Sequence, residues 1–312
     1  MAIAERFAFG RRLTSIGLTL VQTTYLILGA IIVSLILMQV NQRLASPLLS
    51  ILDRWVRWFV FAFGAAQLCT DFELIDRPFW ALAGVFFLVW FLGETLYNWL
   101  AIAAHSLSSL PLFPRYAVNA SGEEWPVQPR LLKMREWLRA QGFRQAQALK
   151  AEIGGGIFLR VSVYQDAQAT IRVQITFIPQ SNGAISVCTA VSSIAGDGTR
   201  YLTDNLYIPF GGFYPENWLV ERAPWRRSLR GLLARHRARL ARAGAVAVPF
   251  ATEPLTDLNA VQHELDRLNT ELGFLHPHAE RDDLGKFTHE GRYRVWKEIW
   301  MLNYLGRAAR YQ

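Results

Sequence analysis

From Leu13 to Gln42 the chain reads LTSIGLTLVQTTYLILGAIIVSLILMQVNQ, 30 residues without a formal charge. About 20 residues at 1.5 Å each cross a hydrocarbon core ~30 Å thick. A helix apolar on every side must be buried by protein or by lipid, so this run predicts a transmembrane helix. A cleaved signal peptide would carry an apolar region about half as long, ended by a small-residue cleavage site. No such site interrupts the run.

A second apolar run, Pro78 to Phe113, has Glu94 and His105 as its only acidic or basic side chains. It predicts a second span and, with the first, an N-terminal helical hairpin. Between them Trp55 to Thr70 is about 16 residues long, rich in aromatic rings, and includes Arg57. That segment reads equally as interfacial, re-entrant or a short third span. Arg6, Arg11 and Arg12 precede the first span, which for two spans keeps both chain ends in the cytoplasm. Three spans would need the N-terminus outside. Either arrangement assigns residues 115–312 to the cytoplasm. Glu94 is costly inside a span and therefore a functional candidate; Asn98, one turn on, and Arg57 are its expected partners.

Charge separates the two parts. Residues 1–114 hold 7 Arg and 6 acids, whereas residues 115–312 hold 26 Lys and Arg and 19 acids, so the net +8 divides as +1 and +7. Two cysteines, Cys69 and Cys188, fall in different parts and define neither a disulfide framework nor a cysteine-rich zinc site.

The prolines of Pro111 to Arg130 mark a linker, giving a transmembrane region over 1–112, a linker over 113–130 and a cytoplasmic α+β domain over 131–312. RLLKMREWLRAQGF predicts a helix stopped at Gly142. IFLRVSVY and TIRVQITFIP alternate apolar and polar residues, and AISVCTAVSSI and RYLTDNLYI follow, joined by an Asp197-Gly198 turn. Together they predict a four-stranded antiparallel sheet, buried on one face, packed on helices. Three helices follow: one from Pro224 to Gly244, one from Thr256 to a cap at Gly273, and EGRYRVWKEIWMLNYLGR over 290–307. In the last, Tyr293, Val295, Trp296, Ile299, Trp300, Leu302 and Tyr304 fill an arc of about 200°, with Arg294, Lys297 and Glu298 opposite. So wide an arc predicts a helix that seals the sheet's apolar face.

The succession LRAQGF, strands, AGDGTRYLTDN and LLARHRARL resembles an uncharacterised bacterial module found beside membrane spans, over about residues 130–243. The resemblance implies a membrane-anchored α+β domain and no activity.

The strongest chemical signal in the second part is arginine. Glu221 to Gly244 holds eight arginines against one acid, and each basic residue near an anionic leaflet contributes ~1 kcal/mol. Arg226, Arg227, Arg230, Arg235, Arg237, Arg239 and Arg242 are the expected lipid- or phosphate-binding set. Nucleic-acid phosphates offer the same complementarity, but the strands carry no stacking platform, which disfavours nucleic acid. His236 falls on the apolar stripe of that helix and reads as a core histidine.

No nucleophile elbow, Walker loop or zincin spacing occurs, so no metal and no cofactor is expected. HPHAERDD supplies His276, His278, Asp282 and Asp283, the set that an alternative, a membrane-bound metal-dependent enzyme, would use. A second alternative is a small channel or transporter subunit built around Glu94. The leading expectation is a membrane-anchored cytoplasmic binding, scaffold or sensor module. Its partners would be the lipid bilayer and a protein partner or further copies of itself.

Overall fold

The computed structural model describes residues 2–44, 46–122, 125–154, 156–179 and 185–308, with side chains from Gln22 onward except Arg43. Arg6, Arg11 and Arg12, on which the topology expectation rests, have side chains outside that set. The chain forms two bodies: Met1–Trp99 with Asn303–Leu305, and Leu100–Leu302 with Gly306–Gln312.

The first body is helical, formed by α1 (Ala2–Leu44), α2 (Pro47–Asp71) and the first part of α3 (Phe79–Leu107). Asn41 Oδ1 accepts from Ser46 N at 2.6 Å and closes the α1–α2 turn, and Pro47 at the first helical position starts α2. The two helices run antiparallel, Asn41 Nδ2 donating to Ser50 Oγ at 2.8 Å and Ser34 Oγ to Asp53 Oδ1 at 2.6 Å. Trp55–Thr70, open to three readings in the sequence, is the middle of one 25-residue helix. Its Trp58 stacks on Phe87 of α3, ring centroids 4.3 Å apart, while Ala66 and Cys69 pack on Leu82 and Ala83. Gln22–Gln42 and Phe79–Leu107 are long and apolar enough to cross a membrane. None of the first window is buried and only 11% of the second, so these are not core helices covered by their own protein.

The second body is α+β, and its sheet has eight strands rather than the expected four. Strands β1 (Tyr116–Val118), β2 (Arg144–Glu152), β3 (Phe158–Gln165), β4 (Arg172–Pro179), β5 (Ile185–Ala195), β6 (Arg200–Asp204) and β7 (Trp218–Arg222) lie side by side in chain order. All neighbours are antiparallel except β6 and β7, and β8 (Ala247–Val248) pairs with the end of β5. The expected strands are β3 to β6. The others escaped the pattern for separate reasons: β2 (RQAQALKAE) is mostly polar, β1 lies in the proline-rich segment, and β7 and β8 are short.

The sheet is also covered on both faces, against the expectation of one polar face. The register gives the reason: Val161 of β3 lies opposite Thr176 of β4, and Val163 opposite Gln174. The apolar sets of these neighbours therefore point to opposite faces, and neither face can be left to water. On one face Tyr164, Val173, Ile175, Phe177 and Val191 pack under α4 (Pro129–Ala140), through Leu131 and Leu138, and α5 (Leu229–Ala243), through Leu229, Leu232 and Leu233. On the other, Leu149, Val161 and Val163 pack on Leu258 of α6 (Pro254–Glu271). Arg172, facing α6, is 1% exposed and donates to Asp257 Oδ2 at 2.6 Å and to Thr252 O at 2.8 Å. Arg200 meets the same carboxylate at 2.5 Å.

Short α7 (Arg281–Leu284) leads to α8 (His289–Trp300), capped by Thr288 Oγ1 and continued by a π-helical turn, Met301–Leu305, that Gly306 ends at φ +64°. The terminal helix does not seal the sheet's main core. Its Val295 builds a second core with Ile102, Phe274, Leu275 and Phe287. Glu298, expected on the solvent side, is buried at 2% exposure.

Candidate functional site

Helix α5 sorts its arginines by face. It begins at Leu229 rather than near Pro224, because Ser228 Oγ accepts from Gly231 N and caps it, and Gly244 at φ +61° ends it. Arg235 Nε donates to Glu221 Oε1 at 2.7 Å, and Arg239 Nε lies 3.0 Å from Glu221 Oε2. Arg239 further donates to Leu202 O, Thr203 Oγ1 and Leu219 O at 2.6–2.9 Å. These two of the seven expected phosphate ligands are spent holding α5 to β6 and β7. Arg226, Arg227, Arg230, Arg237 and Arg242 are exposed. Arg242 Nε donates to Ala238 O within its own helix at 3.3 Å. Partial desolvation, then the nearby Arg130 guanidinium, holds the Arg227 pKa below its ordinary value, so Arg130 at the start of α4 joins the basic group. Residues 223–252 contain no acid.

On the inner face of α5, His236 is fully buried between two hydroxyls, Nδ1 at 3.0 Å from Thr203 Oγ1 and Nε2 at 3.1 Å from Ser193 Oγ. Burial lowers its pKa to about 4, with Arg239 and Arg237 adding to the effect. A neutral ring with both nitrogens engaged, under the sheet, is a core element.

In the helical body, Glu94 is met by other groups than those expected. Its carboxylate accepts from Arg54 Nη1 at 3.4 Å, Trp90 Nε1 at 2.9 Å and the Tyr304 hydroxyl. Arg57 pairs instead with Asp53 at 3.1 Å, and the Nδ2 of buried Asn98 has no hydrogen-bond acceptor among the described residues. Tyr304, 210 positions from Glu94, carries no sequence signal for this role.

The histidines and acids of 276–283 do not converge. His276 Nδ1 lies 3.5 Å from Glu280, and His278 Nε2 lies 2.8 Å from Asp266 Oδ2 on α6. Among the described residues no three His, Cys, Asp or Glu side chains are grouped to hold a metal. His278 and Asp282 do line a cavity of 790 Å³ at the end of α3, with Arg115, Asp266, Arg281 and Lys286, while His276 and Asp283 lie outside its lining. Lys286 Nζ donates to His105 O and Ser108 O. It thereby satisfies carbonyls at the C-terminal end of α3, where a cation is favoured.

A buried ionic hub also went unread in the sequence. Arg222 donates to Glu298 Oε1 at 3.1 Å, Ile208 O at 3.0 Å and Tyr214 OH at 3.0 Å. Glu298 Oε2 accepts from Phe210 N at 2.8 Å and from Gly211 N, and Asn269 grips Phe213 through both its N–H and its carbonyl. The turn Phe210–Pro215 is thus fixed by α6 and α8. No protein-family model, curated protein or solved structure matches this chain.

Proposed function

We propose that the chain is a membrane-anchored binding module, in which α1, α2 and α3 are membrane helices and the α+β body is a cytoplasmic domain that binds anionic lipid phosphates. The exposed apolar side chains along α1 and α3 support the anchor, since large contiguous apolar patches on a protein surface mark contact with lipid or another protein. Arg115, eight residues past the end of α3, supports the cytoplasmic side.

The observation that carries the binding role is the sorting of charge on α5. Arg235 and Arg239 are consumed by Glu221, whereas Arg226, Arg230, Arg237 and Arg242 stand exposed in a 30-residue stretch without an acid. At ~1 kcal/mol for each basic residue near an anionic surface, four supply ~4 kcal/mol, screened by salt. A domain held at a bilayer in this way is suited to scaffold a protein partner or a second copy.

Photocrosslinking tests this reading. In nanodiscs doped with an anionic lipid bearing a photoreactive headgroup, the full chain should crosslink through peptides of 226–242, and Arg226→Gln, Arg230→Gln and Arg237→Gln together should remove the product. Equal labelling of the variant, or displacement of the lipid by stoichiometric RNA, would contradict it.

A further inference from the structure

The helical body contains a cavity of 460 Å³ between α2 and α3. One end is polar, made by Arg54, Arg57 and Glu94, and its walls are aromatic, made by Phe61, Trp90, Tyr97 and Tyr304. The carboxylates are more buried than the guanidiniums, and Asp53 joins the group as the ion-pair partner of Arg57 rather than as part of the lining. Glu94 and Asp53 side chains are 12% and 10% exposed, those of Arg54 and Arg57 35% and 51%. A guanidinium has five N–H donors, and the described contacts engage Arg54 only through Nη1, at 3.4 Å, and Arg57 only through Nε, at 3.1 Å. Donors left over in apolar surroundings favour an acceptor from outside the chain.

Charge balance selects the kind of acceptor. Two guanidiniums and two carboxylates sum to zero, so a singly anionic ligand would leave uncompensated negative charge among apolar side chains, at high cost. A ligand carrying both a phosphate and an ammonium keeps the sum at zero. The guanidinium fork matches a phosphate, while the rings of Trp90 and Tyr97 and the carboxylate of Glu94 suit an ammonium. Apolar side chains continue from the cavity along the outer face of α3, where Val89, Leu92 and Leu96 are exposed, and these can lie along acyl chains.

We infer that this cavity is a binding site for a zwitterionic phospholipid, its phosphate diester against Arg54 and Arg57 and its ammonium toward Glu94 and the aromatic walls. The inference rests on the membrane reading of α1 to α3 and is independent of the arginines of α5.

The test uses the full chain, purified in a neutral detergent and stripped of lipid, with binding read by native mass spectrometry and by the thermal midpoint. In the full-length variant carrying Arg226→Gln, Arg230→Gln and Arg237→Gln, so that the α5 arginines do not contribute, a short-chain phosphatidylethanolamine should bind about tenfold more tightly than the matching phosphatidylglycerol, and inorganic phosphate should not bind. Arg57→Gln and Arg54→Gln should each weaken the zwitterionic lipid about tenfold, the size expected for one charge-assisted hydrogen bond. If Arg54→Gln does not fold, Arg57→Gln, whose side chain is half exposed, gives the answer alone. Equal binding of the two lipids, binding of inorganic phosphate, or undiminished binding by Arg57→Gln would overturn the proposal. Release of the chain from native membranes by alkaline carbonate without detergent would overturn the membrane reading and this site with it. Retention in the membrane without lipid selectivity would overturn this site alone.

Discussion

Replacing Glu298 with alanine removes three hydrogen bonds from a carboxylate that is 2% exposed. The N–H groups of Phe210 and Gly211 lose their acceptor, and Arg222, its side chain 7% exposed, keeps the neutral Ile208 carbonyl and Tyr214 hydroxyl and a more distant Asp204 carboxylate at 4.0 Å. Breaking a buried pair by deleting one partner costs about 3–5 kcal/mol, because the remaining charge stays desolvated. A body of this size loses about 2–4 °C of melting midpoint for each kcal/mol, which gives a fall of roughly 6–20 °C. Tryptophan fluorescence of the full chain during heating reads it. Glu298→Gln keeps an acceptor for the turn and should lose less. In a double-mutant cycle, Arg222→Met should cost markedly less when Glu298 is already alanine, because the two residues share the interaction. A Glu298→Ala midpoint equivalent to a change within about 0.5 kcal/mol of the parent, the range of ordinary surface substitutions, would refute the claim that the terminal helix is a core element locked by this carboxylate.

Asp257→Ala strands the guanidiniums of Arg172 and Arg200 and should destabilise by about 3–5 kcal/mol; Arg267→Ala, whose pairs with Glu264 and Glu271 lie on an exposed helix face, should leave the denaturant midpoint unchanged. His236 is held neutral with its pKa lowered from 6.5 to about 4, so its contribution is fully present above pH 6.5 and is lost as pH falls toward 4, by roughly 3 kcal/mol. His236→Gln should flatten that part of a stability–pH profile, and an unchanged slope would count against a buried neutral ring. Gly291→Ala would set a Cβ 2.2 Å from the carbonyl oxygen of Phe274, so α8 must shift; a loss of about 1–3 kcal/mol in urea unfolding is expected.

The long apolar helices, strands β3 to β6 and the stopping points at Gly142, Gly244 and Gly273 were legible in the sequence, because periodicity and left-handed caps are local signals. Sheet size was not. The apolar residues of β2 are few, and the opposite facing of Val161 and Val173 emerges only when the two strands are in register. The arginines of α5 form one group by spacing alone, which gives the face of a helix but not which face meets an acid on β7. Glu298 shows the same limit. A helical wheel placed it with Arg294 and Lys297 on the solvent side, yet a carboxylate with Arg222 and two backbone N–H groups to satisfy belongs inside. For Glu94 the spacing offers Asn98 and Arg57 as partners, whereas Arg54 and Tyr304 reach it through folding alone.

Contact between the exposed face of α5 and anionic lipid is the central feature of the proposed function. A spin label at Ala238, an exposed position between Arg237 and Arg242, reports this in the full chain reconstituted in nanodiscs. In anionic nanodiscs at low salt the label should be shielded from a water-soluble relaxation agent, and raising the salt or moving to zwitterionic nanodiscs should restore its accessibility. Equal accessibility in both lipids at low salt would contradict the account.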